Sequence, residues 1–394
     1  MGNKNSKSPL VSVIIATYNR APIISQSIES VLDQTFKDYE IIVVDDGSSD
    51  GTDQLLRERF AGKLVYIRKE LNGGLSAARN TGVKAARGIY VAILDDDDLW
   101  LPEKLEMQVG LIEKQPSLGL VYCNSLTINE HDEVKGEIKG SKRGALFDAL
   151  LSSNCLGPPS GVLLAKKVFS QSGYFDENLT ALEDWDLWIR VSQLYSIDFV
   201  EMPLLRYRVH GDNMSNDIMN MQRSTFTVLD KYWPEVCKEK NSEDERNRVY
   251  SNHCVNFAWK QYSRGNREAF RELVLKALEY DPFHQVVLTG DDLPDKEQAF
   301  FSVFNDFWHK QNGDEDSTQK KRSYAVHYVQ LAWEYYHCYD LKRFRRSIAR
   351  AFYHSFPRVP VRLTIPFVKS FLGREIADGI HRAREKLIKG RPEV

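Results

Sequence analysis

Short apolar runs alternate with amphipathic stretches over the first 125 residues of the chain. Residues 11–17 (VSVIIAT) and 40–46 (EIIVVDD) are nearly all apolar or β-branched, which is typical of strands buried on both faces of a parallel sheet. Residues 22–34 between them carry apolar side chains at helical spacing, so the three segments predict a βαβ unit. The same pattern continues as helix 52–60, strand 63–68, helix 75–86, strand 90–94, helix 102–114 and strand 119–124. We therefore predict an α/β domain with a mainly parallel sheet.

The pattern changes after about residue 220. Residues 257–282 and 324–357 are rich in aromatic side chains and have helical periodicity with a polar break in the middle. Each predicts a helix pair, loosely like a tetratricopeptide unit. Residues 310–323 between them are polar and mixed in charge, and so predict an exposed linker. The predicted regions are a polar N-terminal tail (1–10), the α/β domain (11–220) and a helical C-terminal domain (221–394).

The charge of the chain is nearly balanced overall but unevenly distributed. The chain of 394 residues has a formal net charge of −2, which does not favour a nucleic acid or another polyanion as partner. Residues 341–394, however, hold 14 Lys/Arg and 4 Asp/Glu, a net +10, which leaves −12 for the rest. This basic C-terminal tail predicts contact with an anionic inner membrane surface, or alternatively a helix packed on the preceding helix pair.

The five cysteines are scattered with no CxxC spacing, which disfavours a disulfide framework or a zinc site and indicates a reducing compartment. The N-terminus lacks the apolar stretch of a secretory signal, and no window approaches the roughly 20 apolar residues of a membrane span. Gly2 and Ser6 match a myristoylation pattern that is short enough to arise by chance. We expect a cytoplasmic protein, either free or attached peripherally to the membrane.

Three polar clusters follow predicted strands, at 17–19 (TYN), 45–52 (DDGSSDGT) and 95–98 (DDDD). Ligands of open α/β sheets bind outside the carboxyl ends of the strands, so we expect these clusters at one rim. Repulsion between carboxylates there would be relieved by a divalent cation, which prefers oxygen ligands and retains open positions for phosphates. The alternatives are a turn with a helix cap at 45–52 and an exposed cap before Pro102 at 95–98.

Three further segments hold candidate functional side chains. Arg79 and Asn80 lie on the predicted helix 75–86, which follows a glycine turn, and Arg79 can pair there with phosphate or form a surface salt bridge. Asp184 lies with Glu183 at a predicted helix start, where a carboxylate can cap the helix or act as a general base. His210 lies with Arg208 in a predicted polar loop and can be a ligand or a structural histidine.

Six motifs occur in one order and at consistent spacings: VSVIIATYNR, VVDDGSSDGT, GLSAARNTG, LDDDDLWLP, EDWDLWIR and YRVHGDNMS. In this the chain resembles the family-2 glycosyltransferases with a GT-A fold, over residues 11–215. The resemblance implies a GT-A domain, a Rossmann-like mixed sheet, followed by an α-helical region. It also implies inverting transfer of a sugar from a nucleotide diphosphate, with UDP-sugars expected. The acceptor would be a hydroxyl of a glycan or of a lipid-linked molecule, in cell-surface polysaccharide synthesis.

The resemblance also assigns roles to individual residues. Asp184 matches the general base of the family. Asp95 and Asp97 match the DxD signature that binds Mg²⁺ or Mn²⁺, with Asp97 as the direct ligand, and Asp96 stands where relatives often carry a small residue. The residues that match sugar-donor contacts are Thr17, Tyr18 and Asn19 in the nucleotide pocket, Asp46 at the base, Arg79 and Asn80 around the donor, Asp95 and Asp96 in the acidic run, and His210 near the diphosphate.

Other functions remain as alternatives. A catalytically silent nucleotide-sugar-binding scaffold would have the same motifs, while a metal-dependent phosphotransferase would need a Thr or Ser after the acidic pair, where Leu99 and Trp100 stand. A glycoside hydrolase can use two carboxylates such as Asp97 and Asp184, but it does not need a nucleotide pocket. A dehydrogenase is disfavoured because no G-x-G-x-x-G follows the first strand.

Overall fold

The structure is a computed structural model that describes residues 8–240, 242–281, 299–304 and 347. The chain divides into two compact units, Met1–Arg246 and Asn247–Val394, which are described separately. The first unit extends past residue 220 because its last helix packs through side-chain hydrogen bonds on the rest of the unit, as described below.

A mixed sheet forms the centre of the first unit. All seven residues of its first strand are buried, and the second and fourth strands are buried along most of their length, as their apolar sequences require. Within the described residues the sheet has nine strands. They are β1 (Val11–Thr17), β2 (Tyr39–Asp45), β3 (Val65–Arg68), β4 (Tyr90–Asp95), β5 (Leu99–Trp100), β6 (Leu118–Ile128), β7 (Val134–Ile138), β8 (Leu163–Ala165) and β9 (Ser196–Arg208).

Helices cover this sheet and connect its strands. The helices predicted between 22 and 114 are present with slightly shorter bounds, and a helix begins at Glu183 as predicted, whereas the other elements of the first unit after β6 were not predicted. Several of these are three to six residues long, which is too short to produce a periodic signal. The helices of the first unit are α1 (Ile24–Leu32), α2 (Thr52–Arg59), α3 (Leu75–Ala85), α4 (Lys104–Ile112), α5 (Phe147–Ser152), α6 (Lys167–Ser172), α7 (Glu183–Ser192) and α8 (Ile218–Lys240).

The strand order is β3-β2-β1-β4-β8-β6-β9-β5, with β7 paired to β6. Strands β3, β2, β1 and β4 are mutually parallel, and their register places Thr17 beside Asp45 and Ala16 beside Asp95. The carboxyl ends of β1, β2 and β4 therefore meet at one edge, as the sequence predicted. The antiparallel strand β8 between β4 and β6 makes the sheet mixed.

Strand β9 brings a distant part of the chain to the same edge. It runs parallel to β6 and pairs with the short strand β5, where Leu99 lies opposite Arg206. The prediction of a polar loop beginning at residue 207 was wrong, because Arg208 is the last residue of β9 and is buried. The loop that carries His210 begins directly after it.

The second unit begins within α9 (Glu243–Ser263) and includes α10 (Arg267–Tyr280). The ring centroids of Trp259 on α9 and Phe270 on α10 are 4.9 Å apart, and the Ser251 hydroxyl donates to the Ala277 carbonyl at 2.7 Å. The break predicted within 257–282 lies between them, where Gly265 has a φ of 78° and Asn266 caps α10. The helix pair predicted at 324–357, the linker at 310–323, the basic tail and Gly2 with Ser6 lie outside the described residues.

Over the described ranges, none of the helices is both long enough and apolar enough to cross a lipid bilayer.

Candidate functional site

The end of β2 is closed by the loop that leads into α3. The Asp46 carboxylate accepts hydrogen bonds from the backbone N–H groups of Gly73 and Gly74, and Lys69 Nζ lies 2.5 Å from its Oδ1. Gly74 is the residue before α3, so the negative charge of Asp46 lies at the positive end of the helix. Asp46 therefore fixes the loop 69–74 against the edge of the sheet.

The end of β1 is attached to the same edge. Asn19 has a left-handed backbone with a φ of 54°, and its N–H donates to the Ser48 hydroxyl while its Oδ1 accepts from Ser49 N–H. Thr17 is buried, whereas Tyr18 is exposed. Of the motif TYN, Tyr18 and Asn19 are thus both exposed, and the Asn19 amide holds the β2 loop in place.

The four aspartates 95–98, which begin with the last residue of β4, have four different environments. Asp95 pairs with Arg79, Asp97 Oδ2 lies 2.9 Å from His210 Nε2, and Asp98 is fully buried and accepts the Arg208 N–H. The Asp96 side chain is 12% exposed and lies 3.9 Å from the Arg20 guanidinium. An exposed helix cap, the alternative interpretation of this run, is therefore wrong.

Burial and mutual repulsion disfavour full ionisation of this run. Burial raises the pKa of Asp96 to about 7. Burial and the neighbouring charge of Asp95 raise the pKa of Asp97, and burial raises that of Asp98 well above its usual value. A positive charge placed beside these carboxylates would favour their ionised forms.

Arg208, at the end of β9, braces the acidic run. Its Nε donates to the backbone carbonyl of Asp97, its Nη2 donates to Gln26 Oε1, and its Nη1 pairs with Asp132 at 2.7 Å. His210 follows two residues later, and its Nδ1 accepts from Asp212 N–H. The imidazole is therefore assigned an N–H on Nε2, which donates to Asp97.

Arg79 is a buried cation that joins two carboxylates from different elements. Its Nη2 donates to Asp95 Oδ1 and its Nη1 to Glu183 Oε1, both at 2.5 Å. These charges raise its pKa against the opposing effect of burial. The salt bridge that the sequence allowed for Arg79, as the alternative to a phosphate contact, is present, but Arg79 is buried and not at the surface.

Asn80, the next residue on α3, holds another segment. Its Nδ2 donates to the Phe175 carbonyl and to Glu177 Oε1, and its Oδ1 accepts from Phe175 N–H. Its amide is thus bonded to residues 175–177, at the start of the segment that leads into α7.

Asp184 is the second residue of α7 and is buried. Leu182 stands in the capping position with a left-handed φ of 62°, and its side chain makes no capping hydrogen bond. Asp184 Oδ1 accepts from Trp185 N–H, and Oδ2 accepts from Asn154 Nδ2 at 3.2 Å. Burial and the adjacent charge of Glu183 raise its pKa to about 7, against the lowering effect of Arg79.

The predicted residues therefore fall into linked groups. The ion pairs of Arg79 connect Asp95 to Glu183, the neighbour of Asp184, and His210 contacts Asp97. The amides of Asn19 and Asn80 are bonded to neighbouring loops. Three residues of this region carry no recognisable sequence spacing and were not predicted: Lys69 and Asn154, which lie in loops, and Ser160, which lies in a three-residue helix and whose hydroxyl accepts Asp95 N–H.

The carboxylate oxygens at this edge fit a divalent cation that takes some of its ligands from the protein and the rest from substrate phosphates. In the portion of the chain that the structure describes, no three His, Cys, Asp or Glu side chains form a group able to hold a metal ion. Asp95 and Asp97 nevertheless offer hard oxygen ligands, and the charge of Asp95 raises the pKa of Asp97. Mg²⁺ is commonly bound by one or two carboxylates together with substrate phosphates, which this pair permits.

Comparison with known proteins identifies the family. Residues 12–159 match the family model described as glycosyl transferase family 2. An uncharacterized glycosyltransferase of Rickettsia typhi is 35% identical over 242 residues, which are 60% of this chain and 76% of that protein. The Escherichia coli UDP-Glc:alpha-D-GlcNAc-diphosphoundecaprenol beta-1,3-glucosyltransferase WfgD is 30% identical over 222 residues, 56% of this chain and 85% of that protein.

Among solved structures, S. aureus TarS 1–349 in complex with UDP-GlcNAc is 17% identical and matches with a TM-score of 0.47, over 89% of this chain and 94% of that one. The mixed sheet with its covering helices and the helical region that follows confirm the predicted GT-A fold class. The chain belongs to glycosyl transferase family 2, and it is a glycosyltransferase.

Proposed function

We propose that this enzyme is an inverting, metal-dependent transferase that moves a sugar from a UDP-sugar to a hydroxyl of a glycan or lipid-linked acceptor, in cell-surface polysaccharide synthesis. The observation that carries the proposal is the pair of salt bridges that the buried Arg79 makes with Asp95 and Glu183, which link the helix of Asp184 to the acidic run at the end of β4. The names of relatives support the substrates. WfgD is named for a UDP-glucose donor and a diphosphoundecaprenol acceptor, and an Escherichia coli chondroitin synthase is 25% identical over 255 residues.

Asp184 acts as the general base in this proposal. Its carboxylate takes the proton of the acceptor hydroxyl while the hydroxyl oxygen forms a bond to C1 of the sugar. The bond from C1 to the diphosphate oxygen breaks on the opposite face, so the configuration at C1 inverts and UDP leaves with its electron pair. A base with a pKa of about 7 suits this task, because it is substantially ionised near neutral pH and still a strong enough base.

The sugar donor lies along the edge formed by β1, β2 and β4. Tyr18 and Asp46 contact the nucleotide, Thr17 and Asn19 shape its pocket, and Asp95 and Asp97 hold Mg²⁺ or Mn²⁺. The cation supplies neutralisation of the charge that develops on the departing diphosphate. His210 donates from Nε2 to Asp97 and keeps that carboxylate oriented. Three further residues support the sugar-donor site through their contacts: Arg79 with Asp95, Asn80 with the Phe175 carbonyl, and Asp96 with Arg20.

We also propose a location. The α/β domain (11–220) carries the site in the cytoplasm, and the basic tail of the helical domain (221–394) contacts the inner membrane surface near a lipid-linked acceptor. The test is flotation with vesicles that contain anionic lipid, comparing the full chain with a truncation after Asp340. Loss of flotation on truncation is expected, and equal flotation of both forms would exclude this role for the tail.

The central experiment is UDP release from a panel of UDP-Glc, UDP-GlcNAc and UDP-Gal, each with candidate acceptors, in Mn²⁺ or in EDTA. Release from at least one donor in Mn²⁺, and its loss in EDTA, is the expected result. UDP binding without release from any donor and acceptor would instead favour the silent scaffold. Release that is unaffected by EDTA would contradict the metal dependence alone.

A further inference from the structure

A loop outside the recognised motifs contacts the carboxylate of Asp184. After α5 ends at Ser152, the chain passes through residues 153–158 before the short helix Pro159–Gly161. Asn154 lies in this loop, and its Nδ2 donates to Asp184 Oδ2 at 3.2 Å. None of the six motifs of the family resemblance contains this residue, which stands 30 positions before Asp184 in the sequence.

A second hydrogen bond determines which way the Asn154 amide points. Its Oδ1 accepts from Leu156 N–H at 3.2 Å, and Leu156 is itself buried. An amide rotated by 180° would turn its NH₂ group towards the Leu156 N–H and its oxygen towards the carboxylate, so that donor would face donor and acceptor would face acceptor. The loop thus presents an N–H donor to Asp184 in one fixed direction.

The charged groups around Asp184 show why a neutral donor is needed there. Glu183 precedes it on α7 and Asp95 lies on β4, and both negative charges raise the pKa of Asp184, whereas the positive charge of Arg79 on α3 lowers it. Arg79 is already shared between Glu183 and Asp95. A hydrogen bond from Asn154 stabilises the ionised form of Asp184 without adding charge.

We propose that Asn154 is a positioning residue for the transfer reaction, which fixes Asp184 Oδ2 and so directs the carboxylate towards the acceptor hydroxyl. Each carboxylate oxygen can accept two hydrogen bonds. Trp185 N–H occupies one position on Oδ1 and Asn154 occupies one on Oδ2, so each oxygen can still accept a hydrogen bond from the hydroxyl of the sugar acceptor. The inference rests on the proposed role of Asp184 as base, and it makes the loop after α5 part of the catalytic apparatus.

The first test follows the ionisation of Asp184 without any substrate. Carbon-13 NMR of protein labelled at the aspartate carboxyl carbons gives its midpoint, with the signal assigned by its loss in Asp184→Asn. Asn154→Ala should raise the midpoint by about 0.5 to 1 pH unit, since a net hydrogen bond of about 1 kcal/mol corresponds to that shift. Asn154→Asp, which keeps the shape but replaces the donor by an acceptor, should raise it further.

The matched control is Ser153→Ala, in the same loop at an exposed position, which should leave the midpoint unchanged. An Asp184 midpoint that is the same in the wild type, Asn154→Ala and Asn154→Asp would overturn the proposal. Because Asn154→Asp is nearly isosteric, it decides the question even where Asn154→Ala does not fold.

The second test is the pH profile of UDP release from the donors named above. In Asn154→Ala, kcat/KM should fall severalfold more at pH 6 than at pH 9, because the lost hydrogen bond matters most where Asp184 is partly protonated. If Asn154 had only a structural role, kcat/KM would fall by the same factor at every pH, and that result would contradict the proposal. If the wild type releases no UDP at all, the proposed transferase activity fails, whereas the NMR titration still decides whether Asn154 controls Asp184.

Discussion

Arg79 Nη1 lies 2.5 Å from Glu183 Oε1, although the two residues are 104 positions apart in the sequence. The same guanidinium holds Asp95 through Nη2. Helix α3 thereby links the acidic end of β4 to the first turn of α7, which carries Asp184. The position of the proposed base relative to the proposed donor site thus depends on one buried cation.

Removing that cation should be costly. Arg79→Met leaves Glu183 and Asp95 near each other without their shared partner, and loss of one member of a buried ion pair typically costs about 3 to 5 kcal/mol. Urea unfolding should show a decrease of this size in the free energy of unfolding. The control is Arg57→Met, which breaks an exposed pair with Asp53 and should cost less than about 1 kcal/mol. Equal costs for the two variants would contradict the structural role of Arg79.

The raised pKa of Asp184 has a consequence for stability. Its pKa is about 7 in the folded protein and near 3.8 in the unfolded chain, so the folded state binds the proton more tightly. The stability contributed by the protonated acid is fully present below pH 3.8 and is lost as the pH rises through 7. The wild type should therefore lose stability relative to Asp184→Asn between pH 4 and pH 7.5. Urea unfolding at several pH values measures this difference, and a constant difference would show that the pKa is not raised.

The proposed cation site predicts a specific defect. Asp97→Ala removes the proposed direct ligand, so Mn²⁺ should no longer increase the thermal stabilisation given by UDP. In the wild type, Mn²⁺ should increase it clearly, as ligand binding to the folded state raises the unfolding temperature. Glu58→Ala, an exposed carboxylate on α2, serves as the control and should behave as the wild type. An unchanged response to Mn²⁺ in Asp97→Ala would exclude this residue as a ligand.

Asp186 fixes the other side of α7. It is fully buried, accepts from the Arg190 guanidinium, and lies 2.6 Å from both Lys231 Nζ and Tyr232 Oη of α8. These contacts raise the pKa of Tyr232, because burial and the charge of Asp186 both disfavour its ionisation. They attach the helix of the proposed base to α8.

Tyr232→Phe should therefore lower the free energy of unfolding by about 1 to 3 kcal/mol, since it removes one hydrogen bond to a buried charge. The measurement is urea unfolding, with Lys238→Met as the control. That lysine forms an exposed pair with Glu235 on the same helix and should matter little. A Tyr232→Phe variant as stable as the wild type would show that the Tyr232 hydrogen bond to Asp186 does not stabilise the attachment of α7 to α8.

The sequence predicted residues 11–95 of the α/β domain well, because β1, β2 and β4 are apolar runs and each ends in a recognisable polar cluster. It predicted less well where local signals are weak. Strand β8 has three residues, and β9 alternates irregularly between buried and exposed positions, so Arg208 was placed in a loop. The different environments of Asp95 and Asp98 depend on α3 and β9, which no local pattern encodes.

The central claim is that Asp184 removes the acceptor proton and does not bind the sugar donor. Its most direct test combines UDP release at saturating donor with calorimetric UDP binding, in the wild type, Asp184→Asn and the exposed control Asp148→Asn. Asp184→Asn should lose about 10²- to 10⁴-fold in turnover while its UDP affinity stays near that of the wild type. Turnover near the wild-type rate, or a loss explained entirely by weaker UDP binding, would contradict the account.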